Sequence, residues 1–78
     1  MALRSNGPEI RRRRVLKGFS LTEFAHMTGY TLNHASQVEL GHNNAGPGYL
    51  RKAANVFGCE VSDLLTEQHA RGKKGAPA

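Results

Sequence analysis

The chain has 78 residues, a net charge of +5 and one cysteine, Cys59. That length supports a single small core and excludes a large substrate cleft. The lone thiol excludes an internal disulfide framework and, with no CxxC or paired Cys/His spacing, points to a reducing compartment, the cytoplasm. No apolar run approaches the ~20 residues of a membrane span, and no apolar signal segment opens the chain.

Charge is unevenly spread: residues 1–20 hold six Arg/Lys against one Glu, residues 21–70 two against five acids, and residues 71–78 three against none. Attraction to phosphate must therefore come from the first helix and the tail. In chain order, residues 1–5 are expected as a short flexible arm, residues 6–67 as the folded domain, and residues 68–78 as a basic, disordered tail broken by Gly72, Gly75 and Pro77. The first helix should start at Asn6, since Asn6-x-x-Glu9 is a capping-box spacing and Pro8 is tolerated in a first turn. It should end at Gly18. Arg11 to Arg14 sweep about 300° around that helix, so one of them must point inward. Arg14, four residues after Ile10, shares its face, and a buried guanidinium needs a carboxylate partner.

Ser20 and Thr31 are N-cap residues for the next two helices, and Gly29 can take the left-handed conformation that ends the first of them. Phe24 and Ala25 mark one inward face; Ala35 and Val38 mark the other. Thr31, Leu32, Asn33, His34, Ser36 and Gln37 are left largely outside, and Asn and Gln present the paired donor and acceptor that a base edge in the major groove requires. Two short helices crossing at a glycine read as a helix-turn-helix. Residues 42–48 form a turn-rich loop with no apolar anchor of its own, whose amides are free to meet phosphate. A fourth helix over residues 48–57 carries the stripe Leu50, Ala53, Ala54 and Phe57. A short fifth, Glu60 to about Glu67, turns Val61, Leu64 and Leu65 inward or toward a second subunit. No strand pattern is evident, so the expected fold is all-α with five helices.

The four histidines, at positions 26, 34, 42 and 69, match no zinc spacing and have no cysteine pair or carboxylate cluster beside them. Neither a metal nor another cofactor is expected. Ser20 and Ser36 lack a nucleophile motif, and the glycines form neither a P-loop nor a dinucleotide fingerprint. An enzyme is not expected.

From about Ile10 to Leu65 the chain resembles the lambda-repressor-like, Cro/C1-type family. The resemblance is carried by Arg14, GFS at 18–20, Phe24-Ala25, Gly29, Val38-Glu39-x-Gly41, Pro47, Ala54-Asn55-Val56-Phe57-Gly58 and Leu64-Leu65. It implies that Arg14 pairs with Glu39 at the end of the recognition helix. It implies further that Leu32, Asn33 and Gln37 touch base edges, with Ser36 among the base readers. Ser20, Leu21, Thr31, His34, His42, Asn43, Asn44, Arg11 and Arg12 would then flank the bases or meet the backbone. Adenine is the natural target of Asn33 and Gln37, which are i and i+4. Three positions depart from the family pattern: Leu21 and Leu32 are apolar and expected to be exposed, and Arg13 often corresponds to leucine.

The function implied is that of a bacterial or phage regulator that binds a double-stranded DNA operator, more often to repress. So small a reader gains specificity as a dimer on a pseudo-palindromic site. A weak homodimer through Val61, Leu65 and Gln68 is expected. Two other readings stay open: an antitoxin-like or anti-repressor-like protein-interaction module using Leu21, Leu32 and the last helix, and a generic basic nucleic-acid binder.

Overall fold

Helices form in this chain where a side chain or a proline relieves the first unpaired amides. The computed structural model describes residues 2–68, in the order β1 (Ala2–Ser5), α1 (Gly7–Leu16), α2 (Leu21–Thr28), α3 (Leu32–Leu40), α4 (Pro47–Phe57), a 3-10 turn (Val61–Leu64) and β2 (Leu65–Gln68). Asn6 caps α1 by accepting from the Glu9 amide at 3.2 Å. The box expected there is only half formed, because the Glu9 carboxylate turns to Arg12 and Arg13 instead. Ser20 and Glu23 make the full reciprocal box at the start of α2, with bonds of 3.0 and 2.8 Å. Thr31 Oγ1 accepts from the His34 amide at 3.0 Å and starts α3. Between α2 and α3, Gly29 sits at φ +78°, a conformation that costs a side-chain-bearing residue energy, and lets the chain turn from one helix into the next within a few residues.

The core gathers Ile10, Phe24, Val38, Tyr49, Leu50, Ala53, Ala54, Phe57 and Leu64, all buried. Phe24 and Phe57 stack with centroids 5.1 Å apart, joining α2 to the end of α4. Tyr49, the largest fully buried side chain, meets the edge of Phe24 at 6.2 Å. The expected α4 stripe is correct but incomplete: Tyr49, four residues before Ala53, is also buried and widens it.

Both ends of the domain differ from the all-helical expectation. Residues 2–5 are not a free arm but a strand paired antiparallel with β2, in the register Ala2↔Gln68 to Ser5↔Leu65. Neither ALRS nor LTEQ alternates apolar with polar residues, so the strand period does not show in the sequence. The fifth helix is replaced by one 3-10 turn, because Leu65 is extended at φ −113°, ψ 155° and its backbone joins the ladder with β1. Leu64 is fully buried, while Val61 and Leu65 are half-buried against the core. The surface expected for dimerisation is therefore a turn and a strand rather than a helix face. The Gln68 side chain, the tail from residue 69 and His69 lie outside the described residues. Ala45, in a loop expected to lack an apolar anchor, is buried in the core. Among the described residues, no helix is long and apolar enough to cross a membrane.

One contact sets how closely α1 approaches α3. A Cβ on Gly7 would strike the Val38 carbonyl oxygen and lie 2.6 Å from the Glu39 carbonyl oxygen. Both clashing groups are backbone and cannot swing aside. Gly7→Ala should cost roughly 1–3 kcal/mol by overpacking, despite the better helix propensity of alanine. A chemical-denaturation midpoint at or above wild type would show that α1 can shift without loss.

Candidate nucleic-acid interface

Helix α3 presents one face to the core and the other to solvent. Ala35, Val38 and Glu39 are buried, Asn33 is exposed, Leu32 is 49% exposed, and Ser36 and Gln37 are half-buried. Asn33 and Gln37 are one helical turn apart. They do not stand equally ready. Gln37 Oε1 lies 2.9 Å from His42 Nδ1, and a carbonyl oxygen only accepts, so His42 donates to it. The Gln37 backbone carbonyl also receives the His42 and Asn43 amides, at 2.9 and 3.2 Å. Gln37 therefore offers its NH2 end freely, while its oxygen, oriented by His42, keeps one lone pair for a second donor.

His34 departs from its expected place beside the bases. Its ring stacks on Tyr30 with centroids 5.1 Å apart and meets Tyr49 at 5.4 Å, and its Nε2 is buried. Flat ring surface outcompetes solvent for an imidazole held between two phenols. Helical spacing does not announce this Tyr30–His34–Tyr49 cluster, because Tyr30 precedes the N-cap of α3 and Tyr49 comes from α4. Burial pushes the Tyr49 phenol well above its usual range, with the Glu39 carboxylate adding to the effect, so its role is packing. Leu21 is half-buried rather than exposed, whereas Leu32 stays exposed, as does Leu40 at the far end of the same helix.

The four arginines are mostly matched by acids. Arg12 and Arg13 each reach Glu9 Oε2 at 2.7 Å, and the Arg12 hydrogen bond is the main reason the Glu9 carboxyl falls to about 2. Arg14 Nε and an outer nitrogen hold the two oxygens of Glu39 at 2.8 and 3.1 Å. Among the described residues, Arg11 is the member of the run without a carboxylate partner. Arg13, a departure from the family pattern, is half-buried and bound to Glu9, so it adds less basic surface than its charge suggests.

The Arg14–Glu39 pair is bidentate, with side chains only 11% and 5% exposed, and Arg14 also donates to the Phe19 carbonyl at 2.8 Å. It ties α1, the approach to α2 and the recognition helix in one network. Removing the carboxylate would leave a buried guanidinium without a counter-charge. Glu39→Ala should destabilise the fold by about 3–5 kcal/mol. A thermal melt indistinguishable from wild type would show the pair to be dispensable.

Beyond α3, His42, Asn43 and Asn44 are exposed, as a backbone-contacting loop requires. The Asn44 side chain is not wholly free, since its Oδ1 is bound by Ser5. Ser20 and Thr31 spend their hydroxyl oxygens on capping the Glu23 and His34 amides. Cys59 is half-buried, and desolvation pushes its thiol above the usual range, which makes it a poor nucleophile. Among the described residues, no three His, Cys, Asp or Glu side chains cluster as metal ligands.

Two capped helices crossing at a left-handed glycine, with the second exposing amide side chains from an anchored base, define a helix-turn-helix protein. Residues 10–64 match the helix-turn-helix family. The chain is 32% identical to the N-terminal DNA-binding domain of SinR from Bacillus subtilis, covering 82% of this chain and 94% of that one, with a TM-score of 0.72. The restriction-modification controller protein C.AhdI from Aeromonas hydrophila is 28% identical over 88% of its length and 74% of this chain, with a TM-score of 0.70. SinR solved in complex with DNA is 30% identical, covering 72% of this chain and 90% of that one, with a TM-score of 0.67. No match emerges among curated protein sequences. The chain belongs to the Cro/C1-type helix-turn-helix family, and with it to the sequence-specific DNA-binding transcriptional regulators.

Proposed function

We propose that this regulator works by occupying a pseudo-palindromic operator as a dimer, with α3 in the major groove, and that occupancy represses transcription. The observation that carries this is the outward face of α3. Asn33 and Gln37 lie one turn apart on a helix whose other face is locked by Val38 and by the Arg14–Glu39 pair. A side chain that reads a base must be held to within a fraction of an ångström, and a helix anchored through a buried ion pair supplies that rigidity.

In this reading Asn33 contacts adenine directly, and Gln37 adds a donor whose oxygen His42 already orients. Leu32 meets a thymine methyl or sugar edge, and Ser36 lies between them as a short polar contact. Arg11, the helix starts at Ser20 and Thr31, and the 42–44 loop hold the backbone. Arg12 contributes only by sharing its charge between Glu9 and phosphate. The protein acts by binding rather than by chemistry, and its target places it in the cytoplasm. SinR, 30% identical, was solved with DNA, which supports the reading by likeness.

Asn33→Ala and Gln37→Ala should each cost about 1–3 kcal/mol of specific binding and leave non-specific affinity nearly unchanged. The measurement is a competition assay of operator against scrambled duplex. Unchanged discrimination in both variants would remove α3 from base reading.

Dimerisation would draw on the turn and strand that carry Val61 and Leu65. Both are half-buried against their own core, so the area left for a partner is small. A weak dimer results, paired mainly on DNA where adjacent half-sites raise the effective concentration. Sedimentation with a palindromic duplex should give two chains per full site at saturation, and monomer in dilute solution without it. One chain per site would rule the dimer out.

A further inference from the structure

Asn44 lies in the loop that leaves the recognition helix, and its side chain is oriented from the opposite end of the chain. Its Oδ1 accepts from the Ser5 backbone N–H at 2.7 Å and from Ser5 Oγ at 3.2 Å. Ser5 Oγ in turn accepts from the Ala45 amide at 3.0 Å. A backbone N–H can only donate, so the Asn44 amide must turn its oxygen toward Ser5. The end not bound to Ser5 is then the NH2, on a residue exposed to solvent.

Ser5 is itself held on every side. It is 6% exposed, pairs with Leu65 across the two strands, and is followed by Asn6, whose amide donates to the Leu64 carbonyl at 2.8 Å. On its other flank Arg4 donates to the Gly41 carbonyl at 3.1 Å, at the end of α3. A continuous run of bonds therefore connects the paired terminal strands to the loop beside Gln37. A donor presented in a fixed direction is what a phosphate oxygen accepts.

We infer that Ser5 is a positioning residue for DNA binding: it fixes the polarity and place of the Asn44 amide, whose NH2 donates to one backbone phosphate in each half-site. This rests on the proposed operator-binding role. The strand pair thereby serves the interface while standing behind it, and Asn44 contributes through one end of its amide only.

Asn44→Asp separates this role from simple support of the fold. The aspartate keeps an oxygen for both Ser5 donors and replaces the NH2 with an anionic oxygen that repels phosphate. It should melt at or above wild type yet bind operator at least about tenfold more weakly, because an attractive contact becomes a repulsive one. Asn55→Asp, with the same charge change on an exposed α4 position, is the control and should bind within about twofold of wild type, since screening weakens a distant exposed charge.

Ser5→Ala keeps the backbone donor that sets the polarity of Asn44 but removes the hydroxyl that ties it to Ala45. It should therefore weaken binding roughly 3- to 10-fold, the scale of one lost hydrogen bond, and Ser5→Thr should restore it; wild-type binding by Ser5→Ala would overturn the positioning role. All variants are compared at a temperature where circular dichroism shows each fully folded. Phosphate-ethylation interference should reveal one phosphate per half-site that matters to wild type and not to Asn44→Ala. Equal losses in Asn44→Asp and Asn55→Asp, or an interference pattern unchanged in Asn44→Ala, would overturn the inference. Wild type showing no discrete operator would instead overturn the regulator reading beneath it.

Discussion

The buried pair between Arg14 and Glu39 is the constraint on which this small domain depends. A guanidinium with only 11% of its side chain exposed is tolerable only because a bidentate carboxylate and the Phe19 carbonyl satisfy it. Those bonds carry direction, which apolar contacts do not. They fix how far along and at what rotation α3 meets α1, and Gly7 lets the two backbones come close enough for the pair to form. The outward angle of Asn33 follows from that inward anchor.

The same chemistry tempers the charge of the protein. Four consecutive arginines look like an electrostatic footprint for a polyanion, yet Glu9 takes two of them and Glu39 a third. Screening and local pairing leave a modest field, so orientation of the helix starts and loop amides matters more than bulk attraction. A reader built this way favours registry over grip. That would suit the two-half-site operator binding proposed above.

The terminal strands give the domain a closed seam rather than frayed ends. Pairing residues 2–5 with residues 65–68 satisfies backbone groups that a fifth helix would have satisfied internally, and it brings both ends of the folded region beside the loop after α3. Events at the terminal strands are thus one hydrogen bond away from the loop that follows α3.

Local signals made much of this legible. Ser20, Thr31 and Asn6 cap helices because their side chains reach only a few residues along the chain, and Gly29 ends α2 because no other residue takes its backbone angles cheaply. The inward stripe of α4 and the exposure of Leu32 and Asn33 follow from helical period alone. Arg14's need for a partner followed from the sweep of four arginines, but naming Glu39 took family resemblance. What tertiary structure alone decided are the relations between distant residues. It turned His34 onto Tyr49, bound Gln37 to His42, buried Ala45, drew Ser5 to Asn44 and made strands of the ends. Each of these depends on a partner beyond one helical turn, or on backbone pairing that carries no side-chain signature, and neither leaves a period to read in the chain.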